Sequence, residues 1–366
     1  MKNLIFMANN IVKKLLTFLM LITGLTLEAQ DVSYSQFFNN NIYYNPAFTG
    51  RDLGLRMRLH HRNQWNNLPY NYDNYAFIMD VAERSIPGTG GLGLIVQSDF
   101  DGIGNIQTNS AALTYAVRIP ITRDIITQFG GALSYVQKSI DYDNFIFSDQ
   151  IDPRFPENFS PSGFVAPEFN TLSYPDFNFG LMLQFFESSR RINQITGTLS
   201  AAVHHSFRPD VSFTGNDNRL PRKYVFAADI LLDNERVGYR PGMNNDFFYK
   251  LNPGFLYEIH GKLSNFMIGV NAYKNYVYAG VWLRSQNFVY THVNDLIFLA
   301  GLHLPIGDES RLKFMYSYDY VISDARRAVG PTHEISLVFE LDGFSLFGDS
   351  NIPRRNRAGC PECPTF

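Results

Sequence analysis

Every second residue from Leu312 to Tyr320 is apolar or aromatic: Leu312, Phe314, Tyr316, Tyr318 and Tyr320, with Lys313, Met315, Ser317 and Asp319 between them. After a polar break the alternation returns as Ile335, Leu337, Phe339 and Leu341, interleaved with Glu334, Ser336, Val338 and Glu340. A period of two puts one set on each face of a β-strand. Near the other end of the chain, Leu53, Leu55, Met57 and Leu59 alternate with Gly54, Arg56, Arg58 and His60. Three basic side chains facing one way, Arg56, Arg58 and His60, need water or acidic partners there, because an unpaired buried charge is prohibitively costly. Further strands are predicted around 75–81, 91–97, 107–119, 125–139, 177–186, 197–207, 224–232, 249–259, 263–271, 277–284, 296–304, 312–320 and 333–341. With the first, that makes about fourteen.

The apolar face of such strands is covered by a second sheet in a soluble sandwich and by lipid in a membrane barrel. Connection lengths separate the two. In a barrel with its N-terminus in the periplasm, turns after even-numbered strands are short and those after odd-numbered strands longer. Segments 120–124, 272–276 and 305–310 are short and follow the fourth, tenth and twelfth predicted strands. Segments 141–173, 208–221 and 321–332 are long and follow the fifth, seventh and thirteenth. Two connections break the rule: 233–248 is long on the even side, and the turn after the ninth strand is tight. No linker or low-complexity tract divides the chain, as a soluble protein of this many strands would require. The pattern predicts an all-β transmembrane antiparallel β-barrel of about fourteen strands, with an N-terminal segment that plugs or lines its lumen.

Composition narrows this further. A mean hydropathy of -0.15 argues against a bundle of membrane helices and suits half-polar barrel strands. A net charge of -3 without a basic stripe excludes a nucleic-acid partner. Residues 1–29 read as an export signal: Lys2, Lys13 and Lys14 precede an apolar run at 15–27, and Ala29 stands before a cut at Gln30. The expected organisation is therefore a signal at 1–29 and an N-terminal segment at 30–50, periplasmic or lumenal. The barrel follows at 51–343 and a periplasmic tail at 344–366.

Several ordered stretches resemble one family. They are Ser35-Gln36-Phe37-Phe38, then Tyr44-Asn45-Pro46-Ala47-Phe48-Thr49-Gly50, Arg62-Asn63-Gln64-Trp65, and Gly91-Leu92-Gly93-Leu94 with Asp99 and Gly102. Pro175-Asp176-Phe177-Asn178-Phe179-Gly180, His204-His205-Ser206-Phe207, Tyr316-Ser317-Tyr318-Asp319-Tyr320 and Thr332-His333-Glu334-Ile335 follow in order. Together they resemble the PorP/SprF family of type IX secretion system outer-membrane proteins, over essentially the whole chain after the signal. The resemblance implies a non-enzymatic barrel in the outer membrane of a Gram-negative bacterium, with both termini in the periplasm. Its implied partners are a secreted adhesin with a C-terminal secretion domain, other type IX secretion components including a periplasmic ring, and outer-membrane lipid. Gliding motility belongs to the same expectation. A rival resemblance exists: Asn45-Pro46-Ala47 is similar to the N-terminal hatch of FadL-type barrels, which transport small hydrophobic molecules.

On that reading the longest loop, 141–173, engages the partner through Asp149, Asp152, Arg154, Phe155 and Phe164. The tail arginines Arg354, Arg355 and Arg357 read either as a solvated basic stretch or as a docking peg. Cys360 and Cys363 have a spacing that serves zinc, redox exchange or a disulfide. With no other cysteine, and in an oxidising periplasm, a local disulfide is the expected state. His60-His61 and His204-His205 invite a metal reading, but neighbours on a strand point to opposite faces and cannot share one ligand set. Arg56, Arg58 and Arg62 are expected to meet Asp80, Asp229, Glu258, Asp319 and Glu340 across a polar lumen. The stretch 99–104 reads as a hairpin turn rather than a calcium loop, and nothing places a Ser, a His and an Asp together for catalysis. No catalytic, metal or cofactor-binding residue is singled out.

Overall fold

The computed structural model describes residues 31–68, 71–83, 88–102, 106–151, 162–165, 167, 170–188, 194–213, 217–233, 250–274, 276–286, 293–307, 309–323 and 326–347. The fourteen strands are β1 (Leu55–Gln64), β2 (Tyr72–Ala82), β3 (Thr89–Asp101), β4 (Ile106–Pro120), β5 (Ile125–Ser139), β6 (Thr171–Ser188) and β7 (Gln194–His204), followed by β8 (Lys223–Asp233), β9 (Lys250–His260), β10 (Leu263–Lys274), β11 (Val277–Ser285), β12 (Val293–Pro305), β13 (Ser310–Val321) and β14 (Thr332–Leu341). Each pairs antiparallel with its chain neighbours, and β1 pairs with β14 from Leu55↔Leu341 to Asn63↔His333, so the sheet closes on itself. Closure leaves no strand edge unpaired, which a wall surrounded by hydrocarbon requires.

Every predicted strand has its counterpart, and the differences lie at the ends. Strand β6 begins at Thr171 rather than 177 because polar residues continue the ladder beyond the alternating stretch, with Ser173 opposite Gln137 and Thr171 opposite Ser139. Strand β7 stops at His204 rather than 207 because His205 takes a φ of 53° and leaves the extended conformation. Stretch 99–102 ends β3 at Asp101 and turns at Gly102, whose φ is 63°.

Alternation sorts the side chains as the pattern requires. On β1, Arg56, Arg58, His60 and Arg62 are buried inward, while Leu59 is exposed outward. Around the outer wall Leu113, Phe129, Leu133, Phe179, Leu199, Phe226, Val281, Phe298, Phe314 and Ile335 are all exposed. A continuous belt of this kind is not tolerated in water and is covered by lipid. Among the described residues no helix is long and apolar enough to cross a membrane. The strands do the crossing.

The hydrophobic core lies inside the barrel. Tyr34, Phe37 and Tyr44 pack against Val225, Leu256, Met267, Trp282, Ile297 and Met315 of the wall, and Ile42, Ala47 and Phe48 pack against Ile78, Ile95 and Met182. Residues 32–50 thus fill the lumen. The polar lumen expected around the arginines is part of the interior: the aromatic N-terminal segment adds an apolar core against other parts of the wall.

Candidate functional site

The lumenal segment is built from short turns. A single helical turn, Asn41–Tyr44, leads into a 3-10 turn, Pro46–Phe48. Asn45 joins them: its side-chain oxygen accepts from the Ala47 amide at 2.8 Å, and its Nδ2 donates to the Leu181 and Ala201 carbonyls at 3.0 and 3.1 Å. Pro46 at the first position of the turn supplies a preset φ and forfeits an N–H that would lack a partner anyway. The segment lies so close to the wall here that two glycines are needed. Gly130 and Gly180 face each other on β5 and β6. A Cβ at Gly130 would sit 2.2 Å from the Ala47 nitrogen, and one at Gly180 would sit 1.8 Å from Asn45 Oδ1.

Near the start of the segment a buried charge cluster holds it. Arg62 Nη1 donates to Glu334 Oε2 at 2.9 Å and to Ser35 Oγ at 2.7 Å. Arg284 donates to Asp319 Oδ2 at 2.9 Å and to Ser35 Oγ at 2.8 Å. The Ser35 and Gln36 amides both donate to Glu334, at 2.8 and 3.1 Å, and Ser35 Oγ donates to Asp319 at 2.5 Å. Asp295 adds a third carboxylate, 3.3 Å from Arg284, and Arg62, Arg284, Asp319 and Glu334 each carry hydrogen bonds besides their ion pairs, as desolvated charges require. Ser35, Arg62, Asp319 and Glu334 come from four separate stretches singled out in the sequence, and the fold brings them to one point. Burial raises the phenols of Tyr34 and Tyr44 well above their ordinary value, keeping both neutral. Burial also works to raise Asp52, but Arg51 and Arg56 outweigh it and hold its carboxyl well below the usual range.

The predicted ion pairs are met in part. Arg58 pairs with Asp80 at 2.5 Å, Arg56 with Glu340 at 3.3 Å and Arg62 with Asp319 at 3.3 Å. Two acids go elsewhere, because facing strands rather than arginine count decide the partner. Glu258 takes Lys223 at 2.8 Å, and Asp229 takes the amide of Asn252 at 3.1 Å. The histidine expectation also needs correction. His60 and His61 do point to opposite faces, but His204 and His205 are both buried, since the left-handed backbone at His205 breaks the alternation. His205 Nδ1 meets Asp176 Oδ2 at 2.9 Å, and His204 Nε2 meets the Tyr44 carbonyl at 2.8 Å. Among the described residues no group of three or more His, Cys, Asp and Glu is placed to hold a metal ion.

Outside the barrel the loop after β5 carries its own small aromatic cluster. Phe147 and Phe164 stack with centroids 4.2 Å apart, and Tyr142 lies 5.9 Å from Phe164. Asp149 closes the cluster by accepting from Ser162 Oγ at 2.9 Å and the Gly163 amide at 2.7 Å. Those two donors hold the Asp149 carboxyl below its usual value.

Residues 26–339 match the family described as type IX secretion system membrane protein PorP/SprF. The chain belongs to the PorP/SprF family. A closed barrel in a secretion-system family is an outer-membrane protein, and other secretion components are its partners in kind. No curated protein matches the chain. Solved structures similar to it include a deletion mutant of the TodX monoaromatic hydrocarbon channel (10% identity, 82% of this chain and 93% of that chain, TM-score 0.45). A Pseudomonas aeruginosa FadL homologue is similar at 9% identity over 78% of this chain and 88% of that one, with a TM-score of 0.36. The NanC porin is similar at 8% identity over 79% and 100%, with a TM-score of 0.34. Likenesses of this degree carry no argument about what the PorP/SprF barrel binds.

Of the predicted partner-binding residues, Asp149 and Phe164 meet in the loop cluster. Asp152, Arg154, Phe155, Arg354, Arg355, Arg357, Cys360 and Cys363 lie outside the described residues, as does the expected signal at 1–29. Replacing Asp149 with alanine removes the acceptor that ties 162–164 to 147–150. Limited proteolysis is expected to cut this loop faster than in the native chain, while the melting temperature of the barrel stays the same. Equal cleavage rates would show that the aromatic stack alone orders the loop.

Proposed function

We propose that this PorP/SprF barrel is a non-enzymatic anchor of the type IX secretion system that holds a secreted surface adhesin through its outer loops. In this reading the barrel end where β1 starts and β14 finishes faces the periplasm, where the chain contacts the secretion ring. The observation that carries the reading is the filled lumen: residues 32–50 occupy it and are fixed to both its charged and its apolar walls. A barrel so filled is suited to holding a partner rather than passing solutes. The loop after β5 adds the contact surface. Val165 is 85% exposed, and Ile146, Ile151 and Phe164 of the same loop are exposed as well, apolar side chains beyond the strands.

The test is a mild-detergent pull-down from native outer membranes, read by mass spectrometry, with the intact chain and with residues 151–169 excised. The intact chain should recover a large adhesin or ring proteins, and the excised chain should lose the adhesin while its barrel stays folded. Retention of the adhesin by the excised chain would overturn the loop assignment. Recovery of the barrel alone with bound lipid-like ligand would favour the FadL-like transport reading instead.

A further inference from the structure

Between the lumenal segment and the wall formed by β7–β11, β13, β14 and β1 lies a cavity with about 1000 Å³ of free space, its opening included. It occupies the half of the barrel nearer the start of β1, since Asp229, Asn252, Tyr273, Lys313 and Glu340 all lie within a few residues of that end of their strands. One side is aromatic. Phe37 meets the Trp282 ring edge-on at 5.0 Å, Phe38 stacks on Trp282 at 6.2 Å, and Phe48 and Tyr273 complete the lining. These rings belong to the packed core and are in place before any ligand arrives.

The charges around the cavity are mostly spent on one another. Arg51 pairs with Asp52 at 3.3 Å, Arg58 with Asp80 at 2.5 Å and Lys313 with Glu340 at 2.8 Å. Asp229 differs. It accepts a hydrogen bond from Asn252 Nδ2 at 3.1 Å, and no basic side chain among the described residues forms an ion pair with it. The field of Arg51 reaches it, but that guanidinium is engaged by Asp52. With Arg56 and Arg311 also on Asp52 and Glu340 the charges around the cavity balance, but among the described residues Asp229 is the one lining carboxylate with no cation in contact, and it stands beside aromatic faces whose quadrupoles favour positive charge. An anion would find the lining cations already engaged, and an uncharged hydrocarbon would desolvate Asp229 without compensation.

We propose that this cavity binds a small organic cation with an apolar body, an alkyl- or arylalkylammonium ion, with Asp229 as its counter-charge and the aromatic side as the seat of its frame. This site is independent of the adhesin reading, and its test does not involve a secreted partner.

The chain contains two tryptophans, Trp65 and Trp282. In full-length protein carrying Trp65→Phe, held in detergent micelles, Trp282 alone reports on the cavity by its fluorescence. Three probes share one frame: phenethylammonium, 2-phenylethanol and 3-phenylpropionate. The ammonium is expected to bind at least about tenfold more tightly than the alcohol, the scale of one charge-assisted hydrogen bond, and the carboxylate not at all. Asp229→Asn should bring the ammonium down to the level of the alcohol, with alcohol binding and melting temperature unchanged. Ala227→Phe, which fills the cavity from β8, should abolish binding of both. The proposal is overturned if the carboxylate binds as well as the ammonium, if Asp229→Asn leaves the preference intact, or if no probe binds the folded chain.

Discussion

Arg62→Ala is expected to free the first part of the lumenal segment while the barrel remains closed. The substitution leaves Glu334 and Asp319 in one buried cluster with Arg284 as the cation that remains, and Arg284 is shared between Asp319 and Asp295 rather than reaching Glu334. Breaking a buried pair by removing one partner costs about 3–5 kcal/mol, because the other charge stays desolvated and unpaired. Glu334 is also where the Ser35 and Gln36 amides end, so a carboxylate that shifts or takes up a proton loosens the backbone itself. Amide exchange over 32–44 should accelerate by roughly a hundredfold or more, the range that corresponds to such a loss. Arg62→Lys keeps the charge but not the forked reach to both Glu334 and Ser35, and should fall between the two. If protection over 32–44 is unchanged in Arg62→Ala, aromatic packing alone holds the segment.

A second large effect is expected from adding one methyl group at the glycine seat. In Gly180→Ala the new carbon falls on the side chain of Asn45, whose Nδ2 makes the two hydrogen bonds that fix the turn to β6 and β7 and whose Oδ1 caps the turn itself. In Gly130→Ala it falls on backbone atoms of Pro46 and Ala47, which cannot rotate away. Overpacking costs about 1–3 kcal/mol where side chains yield, and more where backbone must move. The double variant should dislodge 45–48 and raise ion conductance through the barrel in planar bilayers above that of the native chain. Gly131→Ala is the control, since its Cβ would meet only the Phe179 ring at an ordinary 3.9 Å. Conductance equal to native in the double variant would show that the segment can shift its seat and still close the lumen.

The wall of this protein was legible in its sequence because a strand's two faces are written in parity. Leu312, Phe314, Tyr316, Tyr318 and Tyr320 did prove to face outward, and Lys313, Met315, Ser317 and Asp319 inward. Parity says which face a residue takes but not what stands opposite across a lumen. Arg62 was therefore recognised as needing an acid, while Arg284 and the link to Ser35 were not. The lumenal segment itself has no period to read: its turns are set by Asn45, Pro46 and the two glycines, whose purpose is visible once β5 and β6 stand beside them. His205 illustrates the same limit, since nothing in its neighbours announces a φ of 53°.

The clamp on Ser35 has a consequence for assembly. Its two principal holders, Arg62 and Glu334, sit on β1 and β14, the strands whose pairing closes the ring. The Ser35 amide and the Glu334 carboxylate are separated by 299 positions in the chain. Contacts between such distant positions form late, after the loop entropy of everything between them has been overcome. The segment that precedes β1 in the chain is thus completed last, and it waits unsatisfied until the final strand arrives. By bridging both sides of the seam it favours the closed ring over an open sheet, so the segment that fills the finished barrel also acts as the latch for its construction.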